Sequence, residues 1–425
     1  MGFQHGLSGL STTSTSLDVI GNNIANANTA GFKLSHAQFT DVYANALGGE
    51  TSINQVGIGS KVADIAQQFS QGNISSTSNP LDIAVNGSGF FRMNNGGEVS
   101  YSRNGQFHVD NNGFIVNSDN HNLTGYQTDA KGAIISTEPS SLQLSTADIS
   151  PSATTTFSAG VNLDSRTAVP AVIPAFDATD PTTYANSTSA SIFDSLGNSH
   201  VFTMFYQKTG SGAWDTFATV DGATTAAGVP VGVTLGGGAS QALTFDANGL
   251  LTAPAAPIVA SIDLAAIATN LGTVNDATTP FDFSLDLTTA TQFGTNFGVN
   301  SLSQDGFTSG RLAGFDVSDD GTISGNFTNG ESRTLGQVVL ANFANPQGLI
   351  PLGGGQWARS PESGEPLVGA PTTGPLGVLQ SASVEESNVD LTTELVNMIT
   401  AQRIYQANAK TIETQDAILQ TLVNL

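Results

Sequence analysis

The sequence predicts a mainly β protein with terminal α-helices. The N- and C-terminal helices form a coiled-coil core domain, followed by nested antiparallel β-domains of the sandwich or barrel type. Three observations lead there. Near both ends of the 425-residue chain, apolar and small residues recur at spacings of four and three, the heptad pattern of helices that pack on one another. Between the ends, Asn-Gly and Asp-Gly pairs punctuate β-branched and aromatic runs. Charged residues make up only 11% against 39% hydrophobic, with 47 Gly, a composition of strands and tight turns rather than of solvated disorder.

The first stripe is Phe3, Leu7, Leu10, Ser14, Leu17, Gly21, Ile24 and Asn28, with Gly31 as its stop. Leu391, Leu395, Met398, Gln402, Tyr405, Ala409, Ile412, Asp416 and Leu419 repeat the spacing at the other end. Ser387-Asn388-Val389-Asp390 reads as a capping box, and Glu385 and Glu386 stand where the helix dipole favours negative charge. No Gly or Pro interrupts Ser387 to Leu425, so the reading is one helix of roughly 35 residues, about 55 Å long.

Neither stripe has a local partner, so the two ends are expected to pack on each other. The candidate polymer-contact residues are Leu7, Leu10, Leu17, Ile24, Leu391, Leu395, Met398, Tyr405, Ile412 and Leu419. The remaining apolar sides, such as Val19, Ile20, Val396, Ile399, Ile418 and Leu422, would meet neighbouring copies. An isolated helix is marginal in water, so the ends are expected to be loose in a lone chain and to order on assembly. Ordinary core packing within one chain is the plain alternative.

In the middle, Asn-Gly occurs at 86–87, 95–96, 104–105, 112–113, 248–249 and 329–330, and Asp-Gly at 221–222, 305–306 and 320–321. These pairs supply the positive φ of tight hairpins. Runs 81–85, 89–93, 114–117 and 338–343 read as strands. From about Pro151 to Phe293 the texture turns to Ala, Thr and Pro, and no Lys or Arg occurs between Thr209 and Gly310. The expected organisation is a helical core from 1–30 with 380–425, a connecting segment at 31–70, a host β-domain from 71–145 with 294–375, and an inserted acidic β-domain at 146–293.

The composition excludes several functions. Thirty-five acids against 12 bases give a net charge of −23, which repels nucleic-acid phosphates and anionic lipid. No run approaches the length of a membrane span. Lys33 is the first basic residue, so the N-terminus lacks a secretory n-region. Cysteine is absent, so there is no disulfide framework and no thiolate metal site. Asp316-x-Ser318-x-Asp320-Gly321-x-Ile323 is like the start of a calcium loop, but Phe327 stands where that loop needs a bidentate Glu. A hairpin turn is the better reading, as it is for Asp110-Asn111-Asn112-Gly113. The five His show no ligand spacing. Neither a nucleophile elbow nor a phosphate loop is present, while the acids are too numerous for a general acid/base pair to be singled out, which leaves a hydrolase open; the catalytic, cofactor-binding and metal sites assigned are none.

Several segments resemble the bacterial flagellar rod/hook axial protein family. Asn26-Ala27-Asn28-Thr29-Ala30-Gly31-Phe32-Lys33 is similar to its N-terminal signature, and Phe69 to Ile74 and Leu81 to Phe91 to the blocks that follow. Ser387 to Leu391 and Gln402 to Asn408 resemble its closing helix. Within the family, Asp194-Ser195-Leu196-Gly197-Asn198-Ser199-His200 and the large insertion look like the hook branch rather than the rod branch. The resemblance implies a structural homopolymer with no enzymatic activity. It would be exported through the flagellar type III apparatus without a cleaved signal peptide, and would form a curved hollow extracellular tube that carries torque from rod to filament as a universal joint. The implied partners are the rod, the hook cap and the hook-filament junction proteins, with no nucleic acid and no membrane insertion. A distal rod protein, or a secreted β-rich adhesin or enzyme with helical tails, stays open on the residues alone.

Overall fold

The computed structural model describes residues 2–42, 57–129, 132–145 and 147–423. Residues 43–56 of the expected connecting segment and the side chain of Leu422 lie outside the described part. The chain divides into two compact units. One comprises Met1–Thr146, Gly314–Asn326 and Ser332–Leu425, and the other Ala147–Ala313 and Phe327–Glu331.

The first unit carries both terminal helices, α1 (Gly2–Ala25) and, after a short α2 in the other unit (Leu264–Leu271), α3 (Leu391–Val423). α1 ends six residues before Gly31. Asn26 and Thr29 side chains bond locally, Asn26 to the Asn22 carbonyl and Thr29 to Asn26, and such bonds compete with helix propagation. Beside α1 stands an antiparallel hairpin of Ser35–Val42 and Gly59–Gln67. His5 Nε2 lies 2.7 Å from the Gly57 carbonyl, and Thr12 and Ser60 hydroxyls meet at 3.2 Å.

The β-body of this unit is a 13-stranded sheet among the described residues, passing through Phe90–Asn95, Glu98–Ser102 and Asn122–Thr128. Its core includes Phe91, Met93, Ile115, Leu123, Val338 and Leu340. The returning chain adds Val378–Ser381 to Ile83–Asn86 and Ser383–Glu385 to Ile74–Ser76, both antiparallel. These pairings hold the two chain ends at one place. The expected strand at 338–343 is two strands, Ser332–Val338 and Leu340–Asn342, with different partners.

The second unit is a sandwich of two five-stranded sheets. Phe157, Phe202, Tyr206, Trp214, Phe283 and Leu285 fill the space between them. Strand Gly298–Gln304, beyond the sequence boundary at 293, pairs with Thr156–Asn162 in this unit. One pairing departs from the expected antiparallel pattern: Thr156–Ser158 runs parallel to Ser284–Asp286. A parallel pair needs a long crossover, and here the whole opposite sheet, 186–253, intervenes. α2 closes the sandwich core with Leu264 and Ile267, capped by Asp263 at its start and by left-handed Gly272 at its end.

The turn signals work differently from expectation. Gly113, Gly249, Gly321 and Gly330 have positive φ, but the Asn or Asp before each does not. In the turn at Asp246, one carboxylate oxygen accepts from the Asn248 and Leu250 amides, while the Gly249 amide donates to the Asp246 carbonyl. Asp110 and Asp194 repeat this arrangement. This is the three-residue loop closed by a left-handed Gly, not the two-residue primed turn. Asp221-Gly222, with φ of 52° and 70°, is a primed pair.

Candidate functional site

The two ends pack on each other, but not through the expected stripe of α1. A Cβ on Gly6 would lie 2.7 Å from Ile412 Cγ1, and one on Gly9 2.7 Å from Asn408 Nδ2. Further along, Asn23 Nδ2 donates to Glu394 Oε2 at 3.0 Å. Residue numbers rise on one helix as they fall on the other, so the pair is antiparallel. The seam on α1 therefore runs through Gly6, Gly9 and Asn23, with buried Thr13 and Ile20 in the same register. It keeps the heptad spacing but stands one residue ahead of Leu7, Leu10 and Ile24, a rotation of about 100°. Small residues win this face because they let the two backbones approach.

The candidate contact residues are accordingly left outside or only half covered. Leu7 is 54% exposed, and Leu10, Leu17 and Ile24 are half-buried. On α3, Ile412 meets the seam and Met398 is half-buried, while Leu391, Leu395, Tyr405 and Leu419 are exposed. Val396, Ile399, Ile404 and Ile418 are exposed too. Val19 and Ile20, expected to face other copies, are instead buried within this chain. They line a crevice of about 380 Å³ with Leu34, Ala37, Ala401 and Ile404, because the hairpin beside α1 covers that side.

At the junction of this helical pair with the β-body, polar groups are buried. Lys33 Nζ is 2.6 Å from Glu385 Oε1, and Arg103 Nη1 is 3.1 Å from Glu385 Oε2; the Lys33 and Glu385 side chains are fully buried and that of Arg103 nearly so. Lys33 also donates to the Ser70 carbonyl, and Arg103 to those of Val85 and Gly87. Burial pulls both cations below their ordinary pKa, against the opposing pull of Glu385. Glu385 is thus not a dipole partner of α3, because it is tied into strand Ser383–Glu385 and faces inward.

The start of α3 is also corrected. Asp390, not Ser387, is the cap: its Oδ1 accepts from the Thr392 and Thr393 amides at 2.8 and 3.2 Å. Asn388 instead ties the junction, accepting from the Leu34 amide and donating to the Gln68 carbonyl. Gly31, with φ of 70°, lies against the Arg103 backbone, where a Cβ would come within 2.6 Å.

Sequence reasoning missed the seam, the junction and α2. Two signals were present: Gly6, Gly9, Thr13, Ile20 and Asn23 form a second heptad series, and Asp263 and Gly272 bracket an apolar series at 264, 267, 268 and 271.

The other motifs are turns. Gly321 donates to the Ser318 carbonyl, and Asp320 accepts from the Thr322 amide, which makes the calcium-like segment a hairpin connection. Among the described residues no group of three His, Asp or Glu converges as metal ligands.

Four family descriptions match in chain order: "Flagella basal body rod protein" at 3–33, "Flagellar hook protein FlgE/F/G D1 domain" at 84–162, "Flagellar basal body protein FlaE D2 domain" at 162–307, and "Flagellar basal body rod FlgEFG protein C-terminal" at 380–425. The flagellar hook protein FlgE of Escherichia coli (strain K12) is 40% identical over 433 residues, covering all of both chains. That of Salmonella typhimurium is 39% identical over 431 residues with the same coverage. That of Borreliella burgdorferi is 31% identical, covering 99% of this chain and 98% of its own. The crystal structure of Helicobacter pylori flagellar hook protein FlgE2 superposes with a TM-score of 0.52 at 14% identity, covering 73% of this chain and 99% of that one, which is a likeness of fold. With the terminal helices, the β-body and the inserted sandwich all matched, the chain belongs to the flagellar hook protein family, whose members are structural subunits of the bacterial flagellar hook.

Proposed function

We propose that this chain polymerises through the outward faces of α1 and α3 into a curved, hollow tube that passes torque from rod to filament as a universal joint. The observation that supports this is the apolar surface left on the helical pair. Leu7, Leu391, Leu395, Ile399, Tyr405 and Leu419 are exposed although the helices already pack on each other. Scattered exposed apolar residues are ordinary, whereas a concentration on one element marks an interaction surface.

Covering one Leu contributes roughly 1.5–3 kcal/mol, and ordering a residue costs about 1–2 kcal/mol. A single contact therefore does not hold two copies together, but several neighbours engaging together do, and assembly is cooperative. A head-to-tail contact that does not close on itself extends as a helical polymer. In this reading the partners are further copies, the rod, the hook cap and the hook-filament junction proteins. Export runs through the flagellar type III apparatus, and the chain catalyses nothing.

The test compares the full chain with a deletion of 391–425, which keeps Asn388 and the strand to Glu385. Concentrated full-length protein is expected to give curved tubes in negative stain, and the deletion a soluble β-protein with no tubes. Tubes formed by the deletion overturn the assignment to the helices, and straight polymers of the full chain overturn the hook geometry.

A further inference from the structure

The junction between helices and β-body holds an unbalanced set of charges. Lys33 follows α1, Arg103 belongs to the β-body, and Glu385 comes from the returning chain more than 280 residues later. All three are buried, and among the described residues Glu385 is the one anion that touches both cations. It also binds the early chain by two further bonds. Its carbonyl accepts from the Gly31 amide at 2.8 Å, and its Oε1 accepts from the Gly72 amide at 2.9 Å.

Without Glu385, two positive groups would be brought together out of water, with carbonyl oxygens and, for Arg103, the Phe90 ring as their remaining partners among the described residues. A buried charge stripped of its partner is strongly destabilising, whereas replacing a buried ionic set by apolar groups of similar shape is often neutral. The cluster therefore closes only when the late part of the chain is in place.

We propose that Glu385 is a positioning residue for assembly: by neutralising Lys33 and Arg103 it latches the terminal helices onto the β-body, so that the chain presents its polymer contacts only after its last segment has docked. This rests on the polymer reading above for what the helices then do; the latch itself is a property of the single chain. Nothing in the cluster faces solvent, so it acts through the attachment of α1 and α3, not by touching a neighbouring copy.

The test uses the full-length chain as wild type, Glu385→Gln, and the double variant Lys33→Met with Glu385→Gln. Gln keeps the shape but offers one accepting oxygen where Glu385 offers two, its amide nitrogen being a donor, so Glu385→Gln removes the charge together with one acceptor. Met keeps the length of Lys33 while removing one of the two cations. Hydrogen exchange is read at the Gly31 and Gly72 amides of the soluble monomer, and polymer formation by negative stain. In Glu385→Gln, exchange at both amides is expected to rise by roughly a hundredfold to a few thousandfold, the scale for stripping a buried ion pair, with loss of polymer. The double variant is expected to recover protection and polymer relative to the single one.

Wild-type protection at Gly31 and Gly72 in Glu385→Gln overturns the latch. So does a double variant no better protected than the single, because a merely structural hydrogen-bond role predicts further loss when Lys33 is also removed. If the single variant fails to fold, the double variant still decides, since its folding is the rescue that the charge argument requires. Failure of the wild type to polymerise would count against the polymer reading and leave the exchange result standing.

Discussion

Gly6 and Gly9 set how closely α1 approaches α3, because any side chain there enters the space of Ile412 or Asn408. Ala at Gly9 would regain about 1 kcal/mol of helix preference, which would offset part of the clash. Val regains less, so Gly9→Val is the cleaner probe. It is expected to cost the helical pair about 1–3 kcal/mol, the range for overpacking, read as faster amide exchange in α1. Unchanged exchange would mean that the helices do not meet at this position. Asp390 gives a second outcome. The Thr393 and Thr392 amides hold its carboxyl below the usual carboxylate range, so its folded pKa lies below its unfolded one. The support it gives α3 is complete above about pH 4 and is lost as pH falls through the depressed folded value. Wild-type α3 should lose helicity in acid along a titration that Asp390→Ala lacks, as followed by circular dichroism. The Asp-x-x-Gly turns belong to this scale too. They were legible as turns, but their type was not, because it depends on where the flanking strands need the left-handed residue.

Both terminal helices were readable from heptad spacing, and the long uninterrupted run after Asp390 became α3 as expected. Their orientation was not readable. Two heptad series overlap on α1, and hydrophobicity favours the one that the structure leaves outside. The inner series wins because Gly and Thr permit close approach and because Asn23 finds Glu394 and the Ser35 carbonyl. That outer face is where the interface prediction belongs. Leu395 is 49% exposed, so Leu395→Asp should abolish polymer formation while leaving the chain's melting profile as in wild type. A lowered melting temperature would instead place Leu395 in an intramolecular core. α2 went unread because eight residues give too few turns for periodicity to stand out.

Each compact unit has its own core, which sets the expectation for the whole molecule. Trp214 is fully buried among Phe202, Tyr206 and Leu243 in the sandwich. Trp214→Ala should destabilise that unit by about 3–5 kcal/mol. In calorimetry one transition should move down while the transition of the unit containing Phe91 and Met93 stays in place. A shift of both together would show that the two cores melt as one.

From the amino-acid order alone came the β-rich middle, the helical ends and the acidic insertion. These depend on local spacing, turn chemistry and charge, which neighbouring residues fix among themselves. Which face of α1 is inward, why Glu385 is buried, and where Thr156–Asn162 finds its parallel partner were settled only by folding. Each depends on groups more than a hundred residues apart competing for one place, and the balance among close packing, charge pairing and strand register is struck in three dimensions.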